Sequence, residues 1–234
     1  MKRSLFVFTV ITVFAGSRAA AQVVSTGYPP ERSPYRDLEY HHEATVFGGY
    51  FRPSADPAGV APRGGGLAGI RYEVVVGGPA QLVVRLAEAF SERNVINPTE
   101  PAATRSLGVR SWPVYLADAG ISLNLTGQRS FRGIVPVIYT GLGIATDAGK
   151  KVDEDPYRLG TTFAISVAGG LRFVPGGRLQ IRADVGTYMY QIKYPSQYYV
   201  LTSDNTSVLD ADQAKNFWKR NGAFTLGVSY LLFR

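Results

Sequence analysis

Residues 178–193 of this chain, RLQIRADVGTYMYQIK, alternate with a period of two: Leu179, Ile181, Ala183, Val185 and Met189 fall on one side, Gln180, Arg182, Asp184, Tyr188 and Tyr190 on the other. That period belongs to a β-strand, whose successive side chains point to opposite faces. The pattern recurs along the chain and predicts eight strands, at about 43–53, 65–76, 80–91, 113–126, 133–146, 161–174, 178–193 and 222–234. A helical period is absent except for a short turn near Asp212–Arg220.

The chemistry of the two faces says which one is hidden. Ala68, Ile70, Tyr72, Val74 and Val76 oppose Gly69, Arg71 and Glu73, and Tyr115, Ala117, Ala119, Ile121, Leu123 and Leu125 oppose Asp118, Gly120, Ser122, Asn124 and Thr126. Phe163, Ile165, Val167, Leu171 and Phe173 oppose Ala164, Ser166, Ala168, Gly170 and Arg172, and the last strand sets Phe224, Leu226, Val228, Tyr230 and Leu232 against Thr225, Gly227 and Ser229. One face is continuous and oily, while the other mixes charges with small residues. A surface in water would carry bulky lysine and glutamate. Small residues beside a few charges suit the inside of a narrow barrel, where eight strands leave room for side chains and no aqueous channel. The oily face is then outermost, in hydrocarbon. The first, third and fifth strands do not declare their faces: in the fifth, Val135, Val137 and Tyr139 compete with Ile134, Ile138 and Leu142, and Pro136 interrupts the ladder.

The connections agree. Gly77-Gly78-Pro79, Gly127–Arg132 and Pro175-Gly176-Gly177 are short, and they alternate with long polar stretches such as DAGKKVDEDPYRLG and the run from Tyr194 to Asn221. Short turns at one end and long loops at the other are the asymmetry of an even-stranded transmembrane barrel.

At the N-terminus, Lys2 and Arg3 precede the apolar run Leu5–Ala15, and Ala19, Ala20 and Ala21 stand ahead of Gln22. This is the layout of a secretory signal cleaved after about Ala21, and the run is shorter than the roughly 20 residues a membrane-crossing helix needs. Residues 22–42 read as an extended lead-in and 43–234 as the barrel domain. Without Lys2, Arg3 and Arg18, the 25 basic residues become 22 against 18 acidic ones, a net +4. That modest, dispersed excess does not mark a nucleic-acid binder. The absence of cysteine excludes disulfides, thiol nucleophiles and thiolate metal sites.

With this leader, eight alternating segments, segregated loops and the closing strand AFTLGVSYLLFR, the chain resembles the small eight-stranded outer-membrane β-barrels of Gram-negative bacteria, the group that includes OmpA, OmpX, OmpW and the opacity proteins. The resemblance implies an all-β, antiparallel up-and-down transmembrane barrel with short periplasmic turns and longer extracellular loops. It implies a monomer in the bacterial outer membrane, among its lipid and lipopolysaccharide. It also implies insertion by the barrel-insertion machinery, which would read the terminal strand through Phe224, Leu226, Val228, Tyr230, Leu232 and Phe233. Members of the group commonly end on the aromatic itself. Here Phe233 precedes Arg234, out of phase with Phe224 to Leu232, which predicts a bulge or a weaker signal.

Chemistry is sparse. Arg71, Glu73, Arg85, Glu88, Asp118, Arg172, Arg182 and Asp184 are expected to face inward, four cations against four anions, as an ion and hydrogen-bond network that plugs the barrel. Buried charges must pair, because an unpartnered one costs several kcal/mol. No catalytic, metal or cofactor-binding residues are assigned. His41 and His42 are adjacent on a strand and point to opposite faces, which keeps them from sharing a metal. GLGIATDAG begins like a dinucleotide loop without the following helix, and Asp153, Glu154, Asp155, Asp210 and Asp212 lack full calcium-ligand spacing and read as solvated loop residues. Tyr198, Tyr199, Lys215, Phe217, Trp218, Lys219 and Arg220 have the composition of a surface contact patch for an extracellular ligand or for lipopolysaccharide phosphates. A structural or surface-interaction role without catalysis follows. The alternatives are an OmpW-like conduit for small hydrophobic solutes, a soluble lipocalin-like carrier, and a lipid A-modifying barrel enzyme.

Overall fold

A computed structural model describes residues 33–233. The expected leader and most of the lead-in lie outside the described residues. In chain order the strands are β1 (Tyr35–Asp37), β2 (His42–Pro53), β3 (Gly65–Gly77), β4 (Ala80–Phe90), β5 (Glu92–Ile96), β6 (Ser106–Ser111), β7 (Val114–Asn124), β8 (Arg129–Phe131), β9 (Ile134–Thr146), β10 (Thr161–Phe173), β11 (Leu179–Lys193) and β12 (Asn216–Phe233). Eight of them, β2, β3, β4, β7, β9, β10, β11 and β12, pair antiparallel in that order, and β12 pairs back onto β2, which closes the sheet. These are the eight strands expected from the period of two.

The registers fix the geometry of closure. A path of directly opposed residues leaves β7 at Tyr115 and passes through Glu88, Ala68, Gly48, Leu226, Ala183, Leu171 and Pro136. It returns to β7 beside Leu125, whose amide donates to the Pro136 carbonyl at 2.8 Å. The return lies ten residues from the start, so eight strands close with a shear of ten. Such strands tilt by roughly 35–45° and enclose only enough space for side chains.

The outer wall is predominantly apolar. Val46, Ile70, Leu86, Ile121, Leu142, Val167, Val185 and Leu226 are all exposed on it, and aromatic residues sit toward both edges: Tyr50, Phe90, Tyr115 and Phe163 near the long loops, Phe173 and Tyr230 near the short turns. The strands that did not declare their faces are settled by packing. In β2 the residues Glu43, Thr45, Phe47 and Phe51 point in, in β4 Gln81, Val83, Arg85, Ala87 and Ala89 do, and in β9 Val135, Val137, Tyr139 and Ala145 do. Pro136 therefore faces outward.

Three regions differ from the expectation. β12 begins at Asn216, where a helical turn was expected, because residues 216–221 continue the ladder with β11 as far as Lys193↔Asn216. The long connection between β4 and β7 holds the β5–β6 hairpin, too short and polar to show a period. The lead-in also carries structure: β1 pairs with β8, inside a connection expected to be a plain turn, and Tyr40 enters the barrel mouth.

Candidate functional site

The barrel interior is filled by ion pairs stacked in layers. At the short-turn end Arg172 pairs with Glu43 and donates to Gln180 Oε1 at 2.9 Å and to Asn124 Oδ1 at 3.3 Å. The Tyr40 ring lies 4.8 Å from the Arg172 guanidinium, and its hydroxyl receives hydrogen bonds from Arg172 and, at 2.6 Å, from Gln81. In the middle layer Glu73 accepts from Arg71 Nε at 2.9 Å and from Arg182 at 3.0 Å, while Arg182 also reaches Asp184 at 2.7 Å. Nearer the long loops Arg85 grips both oxygens of Asp118, at 3.0 and 3.1 Å, and lies 4.0 Å over the Tyr139 ring. Tyr139 and Ser166 both donate to Asp118.

The small inward residues leave room for this network. A Cβ at Gly141 would overlap the Tyr139 hydroxyl, and one at Gly170 would overlap Asp184 Oδ1. Two internal cavities of about 20 Å³ each, both bordered by Arg85, Asp184, Tyr188 and Thr225, have room for about one water molecule apiece.

The expected network needs one correction. Glu88 is three residues from Arg85, so the period of two puts it on the opposite face, between exposed Leu86 and Phe90 on the outer wall. The fourth inward anion is Glu43, fully buried against Arg172. The interior thus holds Arg71, Arg85, Arg172 and Arg182 against Glu43, Glu73, Asp118 and Asp184, with no excess charge among them. Sequence reasoning missed Glu43 because the inner face of β2 also carries Phe47 and Phe51, as apolar as its outer face.

Above this network the long loops build a second core of different composition. Phe51, Val60, Tyr157, Tyr190, Ile192, Tyr198 and Leu209 are buried in it. Two carboxylates organise it. Asp155 pairs with Arg93 at 2.6 Å and accepts from the Tyr157 amide at 2.9 Å and the Tyr198 hydroxyl at 3.1 Å; Asp56 accepts from the Tyr194 hydroxyl at 2.8 Å and from the amides of Val60 and Ala61 at 3.2 Å. Arg93 is sandwiched by aromatics, 3.9 Å over Trp112 and 5.2 Å from Tyr157. Asp155, expected to be solvated, is fully buried. Burial raises the pKa of Tyr157, Tyr194 and Tyr198, and the carboxylate each of the last two faces, Asp56 for Tyr194 and Asp155 for Tyr198, raises it further, so these hydroxyls stay protonated.

The expected contact patch does not form one surface. Tyr198 is buried, Phe217 packs against the same core, and Lys219 points inward, 3.9 Å from Asp56, whereas Lys215, Trp218 and Arg220 are exposed and Tyr199 is half-buried. The early start of β12 causes the split, since alternation sends its odd and even residues to opposite faces. In the terminal strand Phe224, Leu226, Val228, Tyr230 and Leu232 lie on the outer wall, and the register with β2 shifts between Leu231 and Phe233. The side chain of Phe233 lies outside the described residues. His42 Nδ1 is 2.7 Å from the Tyr72 hydroxyl at the foot of the outer wall.

No family model matches the chain, and no curated protein matches it in sequence. Solved structures do match. The crystal structure of Neisserial surface protein A, NspA, aligns over 82% of this chain and 97% of that one, with a TM-score of 0.50 and 12% identity. The chain has the fold of the small outer-membrane β-barrels. The outer-membrane protein OprG of Pseudomonas aeruginosa also aligns with this barrel, over 82% of this chain and 97% of its own, at TM-score 0.49 and 11% identity. So does Ail, the attachment invasion locus protein of Yersinia pestis, in a complex with the heparin analogue sucrose octasulfate, over 81% and 98% at TM-score 0.41 and 14% identity. At such identities the likeness is one of fold.

Proposed function

We propose that this protein is a monomeric outer-membrane barrel with a structural or surface-interaction role and no catalytic activity. One observation carries the reading: a broad, predominantly apolar outer wall surrounds an interior whose buried charges are paired four against four. Ten residues of tilted strand give this wall a height of about 25 Å, the apolar band of a transmembrane barrel. On this reading the long loops are extracellular and the short turns, with the Tyr40 segment, periplasmic. The terminal strand is the segment the insertion machinery engages, and the leader is removed after about Ala21. The packed interior favours a non-conducting barrel over a solute conduit. The β5–β6 hairpin, with Leu107 and Val109 exposed, replaces the expected patch as the loop segment that would meet an extracellular ligand.

Protease treatment of intact cells tests this reading, together with the migration of unheated and boiled protein on gels. Cuts confined to the loops at 54–64, 91–113, 147–160 and 194–215, with a heat-dependent shift, are expected. A mature chain that dissolves in buffer without detergent would overturn it in favour of a carrier.

A further inference from the structure

The top edge of the outer wall is chemically lopsided. On β3, β4, β7, β9 and β10 its outward positions are Gly66, Phe90, Tyr115, Thr146 and Phe163, with Glu88 just below Phe90. No cation stands among them. The three consecutive strands β2, β12 and β11 instead carry Arg52, Arg220 and Lys193, all exposed.

The registers bring the two arginines together and set the lysine higher on the adjoining strand. Arg52 lies directly opposite Gly222, and Arg220 is two residues along from Gly222 on the same face, so the two guanidinium stems are diagonal cross-strand neighbours. Arg220 in turn lies opposite Met189, and Lys193 stands on that same face of β11 two steps higher, beyond Gln191 and opposite Asn216. Gly222 leaves the space between the arginines clear of any side chain. Tyr50 and Phe224, opposed across the β2–β12 ladder, stand directly below, and Trp218 stands above Arg220 with half its surface exposed. Among the described residues none of the three cations takes part in an ion pair. Lys219, their neighbour in sequence, points inward to Asp56, which leaves that carboxylate engaged on the other side of the wall.

We propose that Arg52, Arg220 and Lys193 form a binding site for the phosphate groups of a phosphorylated glycolipid in the outer leaflet, whose acyl chains lie along the apolar wall below. The proposal rests on the outer-membrane reading, which puts this edge at the level of the outer-leaflet headgroups. Two guanidinium groups side by side offer paired N–H donors that match phosphate oxygens in a bidentate manner, and a ring of aromatic anchors fixes the depth of the cations at the interface. A soluble anion lacks the acyl chains and gains only the phosphate contacts, so the site selects the lipid.

The test uses the mature full-length chain in phosphatidylcholine nanodiscs, titrated with bisphosphorylated lipid A, with dephosphorylated lipid A, and with inorganic pyrophosphate. The R52Q/R220Q variant is compared with R110Q/K151Q, which removes two exposed loop cations elsewhere. Wild type and R110Q/K151Q are expected to bind bisphosphorylated lipid A alike, R52Q/R220Q about ten- to a hundredfold more weakly, and R52K/R220K in between because lysine keeps charge but not the fork. Dephosphorylated lipid A is expected to bind wild type as weakly as it binds R52Q/R220Q, and millimolar pyrophosphate to compete poorly. Equal binding by wild type and R52Q/R220Q, or no dependence on the phosphates, overturns the site. Strong competition by pyrophosphate overturns the lipid as its occupant. The heat-dependent gel shift, read on every variant, confirms a folded barrel; a wild-type chain soluble without detergent would fail the outer-membrane reading itself, a separate result.

Discussion

The barrel interior and the loop layer above it solve the same problem, burying charge, by different means. Inside the wall, eight charges pair among themselves with little apolar padding, and each guanidinium serves two or more acceptors or stacks on a tyrosine. Above the wall, single carboxylates at Asp56 and Asp155 are wrapped in aromatic residues and hold together loops far apart in sequence. The closed wall leaves only one-water cavities beside its pairs, whereas a loop can peel away and hydrate its charge. A lost partner therefore costs more inside the barrel than in the layer above it.

Glu43→Ala breaks that comparison hardest. It strands Arg172 in the interior and is expected to destabilise the barrel by about 3–5 kcal/mol, with most of the loss recovered in a Glu43→Leu, Arg172→Met double variant; urea unfolding from lipid vesicles reads both. Val167→Arg puts a charge on the wall near its middle and should cost about 2–4 kcal/mol and block insertion, while inward Ser166→Thr stays mild. Equal tolerance at the two positions would invert the assignment of faces. Asp155→Ala removes the partner of Arg93 in the loop layer at a cost of about 1–3 kcal/mol, read as new protease cuts in 147–160 and 194–215 while the strands stay resistant. Tyr198→Phe deletes only the hydroxyl that donates to Asp155 and should cost about 0.5–1.5 kcal/mol.

The pH dependence sharpens the same contrast. Tyr157, Tyr194 and Tyr198 have pKa values raised above 10.0 in the folded layer, so they bind their protons more tightly folded than unfolded. Their contribution to stability is fully present below pH 10 and is lost as the pH rises through their folded values. Tyrosinate absorbance should show these residues titrating late, together with loop opening, while the barrel keeps its strand circular dichroism.

Much of this was legible in the sequence because the period of two is local. Each strand announces itself within a dozen residues wherever one face is oily and the other small or charged, and β3, β7, β10, β11 and the lower part of β12 do so. Where both faces carry apolar groups, as in β2 with Val46 and Tyr50 outside and Phe47 and Phe51 inside, the period is silent and Glu43 stays hidden. The assignment of Glu88 to the interior failed on parity alone. The contact patch failed because the start of β12 depends on pairing with β11, which no residue of 216–221 reveals by itself.

The sequence by itself determined the eight wall strands, the oily wall, the segregation of loops and the near-balance of inward charge, because these follow from which neighbours along one chain share a face. Only the tertiary structure decided which charge meets which. Arg172 finds Glu43 at a separation of 129 residues and Arg93 finds Asp155 at 62, and it is barrel closure that brings Arg52 beside Arg220. Such pairings depend on the shear of the closed sheet and on loop packing, quantities that belong to the whole barrel and to no single strand.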